Sequence, residues 1–207
     1  MSKTRSAVLA ASLAFAAPAL AGDTYSFDKA HTNVGFQVRH IFTNVSGKFT
    51  DFAGTIQVDR AKPESSTVEF TIQATSIDTS DQRRDQHLRS ADFFDAEAFP
   101  DITFVSTGIT RVRGDQFEVT GDLTIRETTK PVAFDVRLEG IVPGMSGARH
   151  VGLSATTSIA REDWGLNWNV ALEQGGWLVG KEIKLEITIA ADEVAVAEPA
   201  DLVGSTR

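Results

Sequence analysis

Histidine, aspartate and arginine are the side chains in this sequence with chemistry to offer. There are four histidines, His31, His40, His87 and His150, and no cysteine. Without cysteine there is no thiolate nucleophile, no thiolate metal site and no disulfide. A serine hydrolase needs its nucleophile on a sharp elbow or in an equivalent geometry. No Gly-x-Ser-x-Gly occurs, and no local signature ties any histidine to a serine. His31, His87, Asp85, Asp92 and Asp95 are the one set that could hold a metal. None of these histidines has the helix-face spacing of a zinc site, so they read as solvated loop charges and no metal is expected. No glycine-rich phosphate loop is present, and Gly175-Gly176 reads as a turn. Arg83, Arg84 and Arg89 are a concentrated basic cluster in an acidic chain. They can pair with Asp81, Asp85 and Asp92, or they can meet an anionic or polar head group, because the arginine fork suits phosphate.

The elements that must position these groups are strands. Apolar and polar residues alternate with period two around Val34–Val38, Phe52–Val58, Val68–Ala74, Ile102–Phe104, Phe117–Ile125, Val132–Leu138, Val151–Ala155 and Ile183–Ile189. Each run has one apolar and one wet face, the mark of an antiparallel sheet. Turn residues separate them, as at Arg113-Gly114-Asp115. An even set of such strands can close into a barrel and remove its exposed edges. A barrel of about eight strands has an interior that side chains fill or that holds one small ligand. A two-sheet sandwich is the rival, since pattern alone does not separate the two. The expected class is therefore all-β, an eight-stranded antiparallel barrel.

One stretch, Thr79 to Phe99, breaks the alternation. Asp85 to Thr107 is charged, aromatic and turn-rich, with a sharp Phe99-Pro100 break. Thr79 with Gln82 resembles a capping box, and Asp81 suits a helix N-terminus, so a short helix is predicted from Ser80 to about Leu88. Phe93, Phe94 and Phe99 then need burial, which a lid folded over one barrel end provides.

The termini read differently. Lys3 and Arg5, an apolar run from Ala7 to Ala17, and Ala19-Leu20-Ala21 have the three regions of a secretory signal. The run is too short to span a membrane. Residues 1–21 are expected to be removed, 22–191 to form the barrel and 192–207 to form a mobile tail. The net charge is −8, and the two positive charges of the signal leave the remainder near −10. An acidic surface argues against nucleic acid and against tight docking on anionic lipid.

The motifs also resemble a family. Tyr25-x-Phe-Asp28-x-Ala-His31-Thr opens the series, and Gly47-Lys-Phe49-x-x-Phe52-x-Gly54 continues it. Arg84-Asp85-x-His87-Leu88-x-Ser90-x-Asp92-Phe93-Phe94-Asp95 is the strongest block. Phe99-Pro100-x-Ile102-x-Phe104, Gly121-x-Leu123-Thr124-Ile125, Thr129-Lys130-Pro131 and Arg161-x-Asp163-Trp164-Gly165 follow in order. Together they resemble the YceI-like family. The resemblance implies a lipocalin-like barrel around a long apolar tunnel, in a bacterial periplasmic protein that binds polyisoprenoid or other long-chain amphiphiles without a cofactor. It is not a family established as enzymatic. Arg126-Glu127 departs from the His-Gly often found after the Leu-Thr-Ile strand, which bears on head-group preference more than on fold.

The chain's own residues then give a candidate site. Phe36, Phe52, Ile56, Phe70, Ile72, Phe104, Leu123 and Phe134 are expected to surround an aliphatic chain. Arg84, His87 and Asp92 are expected at the lid, as structural or head-group-facing residues. About twenty buried methylenes would contribute roughly 16 kcal/mol gross, before large association costs. Affinity from the tail predicts loose head-group selectivity. Two rivals stand. One is an enzyme acting on a lipid or quinone, with His31 or His87 as the acid-base group. The other is a filled barrel whose outer surface binds a partner protein. Transient membrane contact is compatible with either, and oligomeric state is left open.

Overall fold

A computed structural model describes residues 22–144, 147–173 and 175–194. The signal and most of the tail (from residue 195) lie outside the described residues. The strands are β1 (Asp23–Phe27), β2 (Asn33–His40), β3 (Thr43–Phe49), β4 (Phe52–Val58), β5 (Thr67–Gln73), β6 (Ile77–Asp78), β7 (Asp101–Arg113), β8 (Gln116–Ile125), β9 (Thr128–Pro143), β10 (Arg149–Ala160) and β11 (Val179–Glu193). One α-helix, α1 (Gln82–Arg89), interrupts them. β11 extends to Glu193, so the last strand runs two residues into the span expected as tail.

The sheet is antiparallel and closed. The order β1-β4-β5-β7-β8-β9-β10-β11 returns to β1, giving an eight-stranded ring. β2, β3 and β6 prolong that ring. β1 pairs with the last residues of β11, Tyr25 opposite Glu193, and β2 takes over lower down, with Val34 opposite Ile187 and Phe36 opposite Leu185. The first strand is thus one wall element broken at Asp28–Thr32. Each of the eight predicted runs marks a strand, and only Ala74, at the end of Val68–Ala74, falls outside one, in the 3-10 turn Ala74–Ser76. Period two alone does not predict β1, β3 and β6, because they are short or, in β3, patterned by the small residues Thr43, Val45 and Gly47 rather than by large apolar ones.

The break is built by local polar chemistry. Asp28 accepts from Ala30 N at 2.8 Å and meets His31 Nδ1 at 2.5 Å. Asp28 N donates to Ala190 O at 2.8 Å, and Thr32 Oγ1 exchanges bonds with the Ala190 backbone at 3.0 and 3.1 Å. The kink therefore stays hydrogen-bonded to β11 while the chain changes strand. Asp28 is held below the usual carboxylate range by His31, and His31 is raised by Asp28. The functional reading of His31 as an acid-base group ends here: its side chain is 76% exposed, on the outer face of a turn.

Inside the ring, phenylalanines lie over glycines of the neighbouring strand. At Gly121 on β8, a Cβ would come within 2.4 Å of Phe104 Cζ and 2.5 Å of Val105 O. Only a glycine lets that ring lie flat against the wall instead of standing across the interior, which is the physical content of the Gly-x-Leu-Thr-Ile motif.

Candidate functional site

The insert between β6 and β7 closes one end of the barrel. Its helix begins differently from expectation. Asp81, not Thr79, is the N-cap, accepting from Arg83 N and Arg84 N at 3.0 and 3.1 Å. The backbone N–H groups of Arg84 and Arg83 lower its carboxyl. Thr79 instead serves Asp85, whose buried carboxylate accepts from Thr79 N at 2.9 Å and Thr79 Oγ1 at 2.5 Å. Arg84 closes the knot, donating from Nε to Thr79 Oγ1 at 2.7 Å and from Nη2 to Thr79 O at 2.8 Å. The helix therefore starts at Gln82, two residues later than the box pattern suggests, with Ser80 at a positive φ of 60°.

Beyond α1 the chain folds back on itself. Phe94 N donates to Leu88 O, and Ala96 N to Arg89 O. Phe93 is buried and packs with His87 and Trp168, the ring centroids 4.6 to 5.3 Å apart. Phe94 meets Phe49 of β3 edge-on at 5.8 Å. Arg126, at the tip of the β8–β9 turn with a positive φ of 56°, lies over the Phe99 ring and donates to Phe93 O. The residue that departs from the family pattern thus fastens the lid from outside the cavity wall.

Beneath the lid is a cavity of about 520 Å³, within the usual range of ligand pockets. Seven of the eight residues expected around an aliphatic chain line it: Phe36, Ile56, Phe70, Ile72, Phe104, Leu123 and Phe134. Arg84 and His87 line its lid end. Two expected residues do not. Phe52 is buried on the same inward face as Ile56, packed on Phe70 at 5.9 Å but beyond the cavity lining. Asp92 lies outside, bound to His87 Nε2 at 2.9 Å. Of the five groups in the metal set, His31 is engaged by Asp28, Asp85 by Thr79, and His87 and Asp92 by each other, and among the described residues no three such groups converge.

The structure adds wall residues beyond the eight expected around an aliphatic chain. Ile183, Leu185 and Ile187 of β11, and Leu153 and Ile159 of β10, face the cavity and stay only half-buried, while their neighbours Lys184 and Glu186 face water. A side chain that points inward yet retains accessible surface has open space before it. Opposing walls therefore do not meet side chain to side chain. Asp81 and Arg83 are exposed members of the lining, so the cavity reaches the surface beside the N-terminus of α1. Sequence reasoning also missed Arg161 and Trp168, which enter from the segment between β10 and β11. Trp164 in that segment donates from Nε1 to Leu123 O at 3.1 Å and anchors it to the barrel.

A closed antiparallel barrel with one lidded, apolar, elongated interior defines a class of binding domain. The chain belongs to the YceI-like family, whose domain model matches residues 25–191. A UPF0312 protein of Staphylococcus aureus is 36% identical over 176 residues, covering 84% of this chain and 98% of the relative. The YceI protein of Campylobacter jejuni is 32% identical, with a TM-score of 0.66 over 81% of this chain and 96% of that one. A polyisoprenoid binding domain from Saccharophagus degradans, implicated in plant cell wall breakdown, shares the fold with a TM-score of 0.60 at 11% identity, over 82% and 98% of the two chains. None of these proteins is named for a catalytic activity. Among the described residues no helix is long and apolar enough to cross a membrane.

Proposed function

We propose that this protein is a periplasmic carrier or scavenger of a polyisoprenoid or another long-chain amphiphile, exported through a cleaved signal at residues 1–21. The observation that carries the reading is the apolar cavity running from the lid to Phe27 and Ile189, with hydrocarbon on nearly all of its wall. Such a wall recognises a tail by area and shape. The binding of isoprenoid by the Saccharophagus domain supports the same ligand class. Protein exported with its natural leader and purified without detergent should release a long-chain species on organic extraction, identified by mass spectrometry. Absence of any such species, together with failure to bind a lipophilic fluorophore, would overturn the carrier reading.

Binding, rather than catalysis on a lipid or quinone, is favoured by where the histidines sit. His31 is outside, and His87 has Nε2 on Asp92 and its ring edge-on to Trp168 and Phe93. The filled-barrel alternative loses its premise to the cavity itself.

A further inference from the structure

Arg161 is a buried cation on the wall of this apolar cavity, only 2% exposed. It sits where β10 ends and the chain turns through Arg161–Trp164. Nε donates to Gly180 O at 3.0 Å, and Nη1 donates to Leu166 O. Those two bonds fix the plane of the guanidinium. Nη2 is buried and has no partner. Glu162 is the one group that raises its pKa, and burial outweighs that and pushes the pKa down. Removing a charge from water without an opposing charge or a full set of acceptors is costly, and a structural pin needs only the two donors already engaged.

The rest of the wall places Arg161 in context. Its titratable neighbours are His40, Asp81, Arg83, Arg84 and His87, all at the lid end. Asp81 is committed to capping α1, and Arg84 to Thr79. The far end, around Phe27, Ile56, Val68, Val119 and Ile189, is hydrocarbon. The cavity is therefore amphipathic along its length, with cations outnumbering acids at one end.

We propose that Arg161 anchors an anionic oxygen, of a carboxylate or a phosphate, in the head group of the bound amphiphile, whose tail runs toward Phe27 and Ile189. This rests on the lipid-binding reading above and sharpens it, since loose head-group selectivity gives way to a preference for acids. The two nitrogens bound to backbone pre-orient the fork, so an arriving oxygen meets a donor already in place.

Chain-matched ligands test it. Hexadecanoic acid, hexadecyl phosphate and hexadecanol compete against a neutral lipophilic fluorophore at neutral pH. One or both acids should displace the probe from the wild-type protein at about tenfold lower concentration than the alcohol, and which of them does so identifies the head group. Arg161→Met should lose that preference while keeping its affinity for the alcohol. Nuclear magnetic resonance of side-chain-labelled arginine in the unmodified protein provides a readout independent of the variant's folding: the Arg161 signals should shift with the preferred acid and not with hexadecanol. Equal displacement by acid and alcohol, unmoved Arg161 signals, or a retained preference in Arg161→Met would overturn the anchor and leave the lipid reading intact. Failure of the wild-type protein to bind all three would overturn the lipid reading and the anchor with it.

Discussion

The two ends of this barrel use arginine in opposite ways. At the β1 end Arg149 is saturated: its Nη2 lies 2.6 Å from both Asp23 Oδ2 and Glu193 Oε1, and its guanidinium lies 5.8 Å from the centre of the Tyr25 ring. Arg60 shares Asp23. These charges tie the ends of β1, β10 and β11 together outside the cavity, where carboxylates supply every opposing charge. At the lid end Arg84 and Arg161 bond to a hydroxyl and backbone carbonyls, with no carboxylate partner among their hydrogen bonds. The same side chain serves as a staple where acids surround it and faces a binding cavity where they do not. A count of arginines in the sequence does not distinguish these roles; the strand register does, by placing Asp23, Arg149 and Glu193 side by side.

The largest expected effect falls between the two ends. Phe70 stands on the cavity wall, 5.2 Å from Phe27 and 5.9 Å from Phe52. Phe70→Asp puts a carboxyl where only hydrocarbon can solvate it, a burial that costs several kcal/mol if the group stays charged. The variant should lose co-purifying lipid altogether, whereas Phe70→Leu should retain it. Lipid content of purified protein, beside a circular dichroism check of the fold, measures this. Full retention in Phe70→Asp would remove the mid-barrel wall from the site.

Next comes the lid knot. Asp85→Ala leaves Thr79 N and Oγ1 without their buried acceptor and should cost about 1–3 kcal/mol. The loss should concentrate at the lid: hydrogen exchange should accelerate over α1 and the turns after it while the amides of β9 and β10 stay protected. Uniform acceleration would mean that the lid is an integral part of the barrel rather than a separately stabilised cover.

How much of this was readable in advance follows the physics of each element. Long amphipathic strands announce themselves by period two, and each of the eight predicted runs marks a strand. The lid was legible as a break in that period. Its first turn was not, because Thr79-x-x-Gln82 imitates a capping box while the buried carboxylate of Asp85, six residues beyond Thr79, takes the threonine instead. Seven wall residues were found because inward positions alternate with water-facing ones. Phe52 shares that pattern yet lies outside the cavity lining, since alternation gives a face and not a depth. Arg161 was visible only as part of a family motif. No sequence pattern marks an arginine as buried; its partners are Leu166, later in the same turn, and Gly180, at the start of β11.

The β1 end should respond to acid more strongly than the lid end, where Asp81, bonded to the Arg84 and Arg83 N–H groups, is also lowered. Arg149 holds the Glu193 carboxyl down to about 2 and, with Arg60, lowers Asp23. A carboxyl whose folded pKa lies below its unfolded value stabilises the fold fully above the unfolded value, near 4.5 for Glu193. That stability is lost as pH falls toward the folded value. Thermal unfolding temperature should therefore fall between about pH 4.5 and pH 2. Arg149→Met should lower it at neutral pH and flatten this acid limb. An acid limb of unchanged steepness in the variant would assign acid sensitivity to other carboxylates.

The smallest effect separates packing from chemistry at the lid. His87 has the composition of an acid-base residue and lines the cavity, yet its contacts are those of an aromatic brace: its ring centroid lies 4.6 Å from that of Trp168 and 5.1 Å from that of Phe93, with Nε2 on Asp92. Each aromatic contact contributes about 0.5–1.5 kcal/mol beyond area, and the side chain is 37% exposed, so His87→Ala should cost about 1 kcal/mol and His87→Phe less. Lipid content should persist in both, with exchange of a fluorescent lipid somewhat faster in the alanine variant. Loss of binding in His87→Ala, with the phenylalanine variant equally defective and both folded, would show that the imidazole itself meets the ligand. The head-group contact would then move from the buried Arg161 to the lid surface, and the contrast between the two ends would rest on histidine rather than arginine.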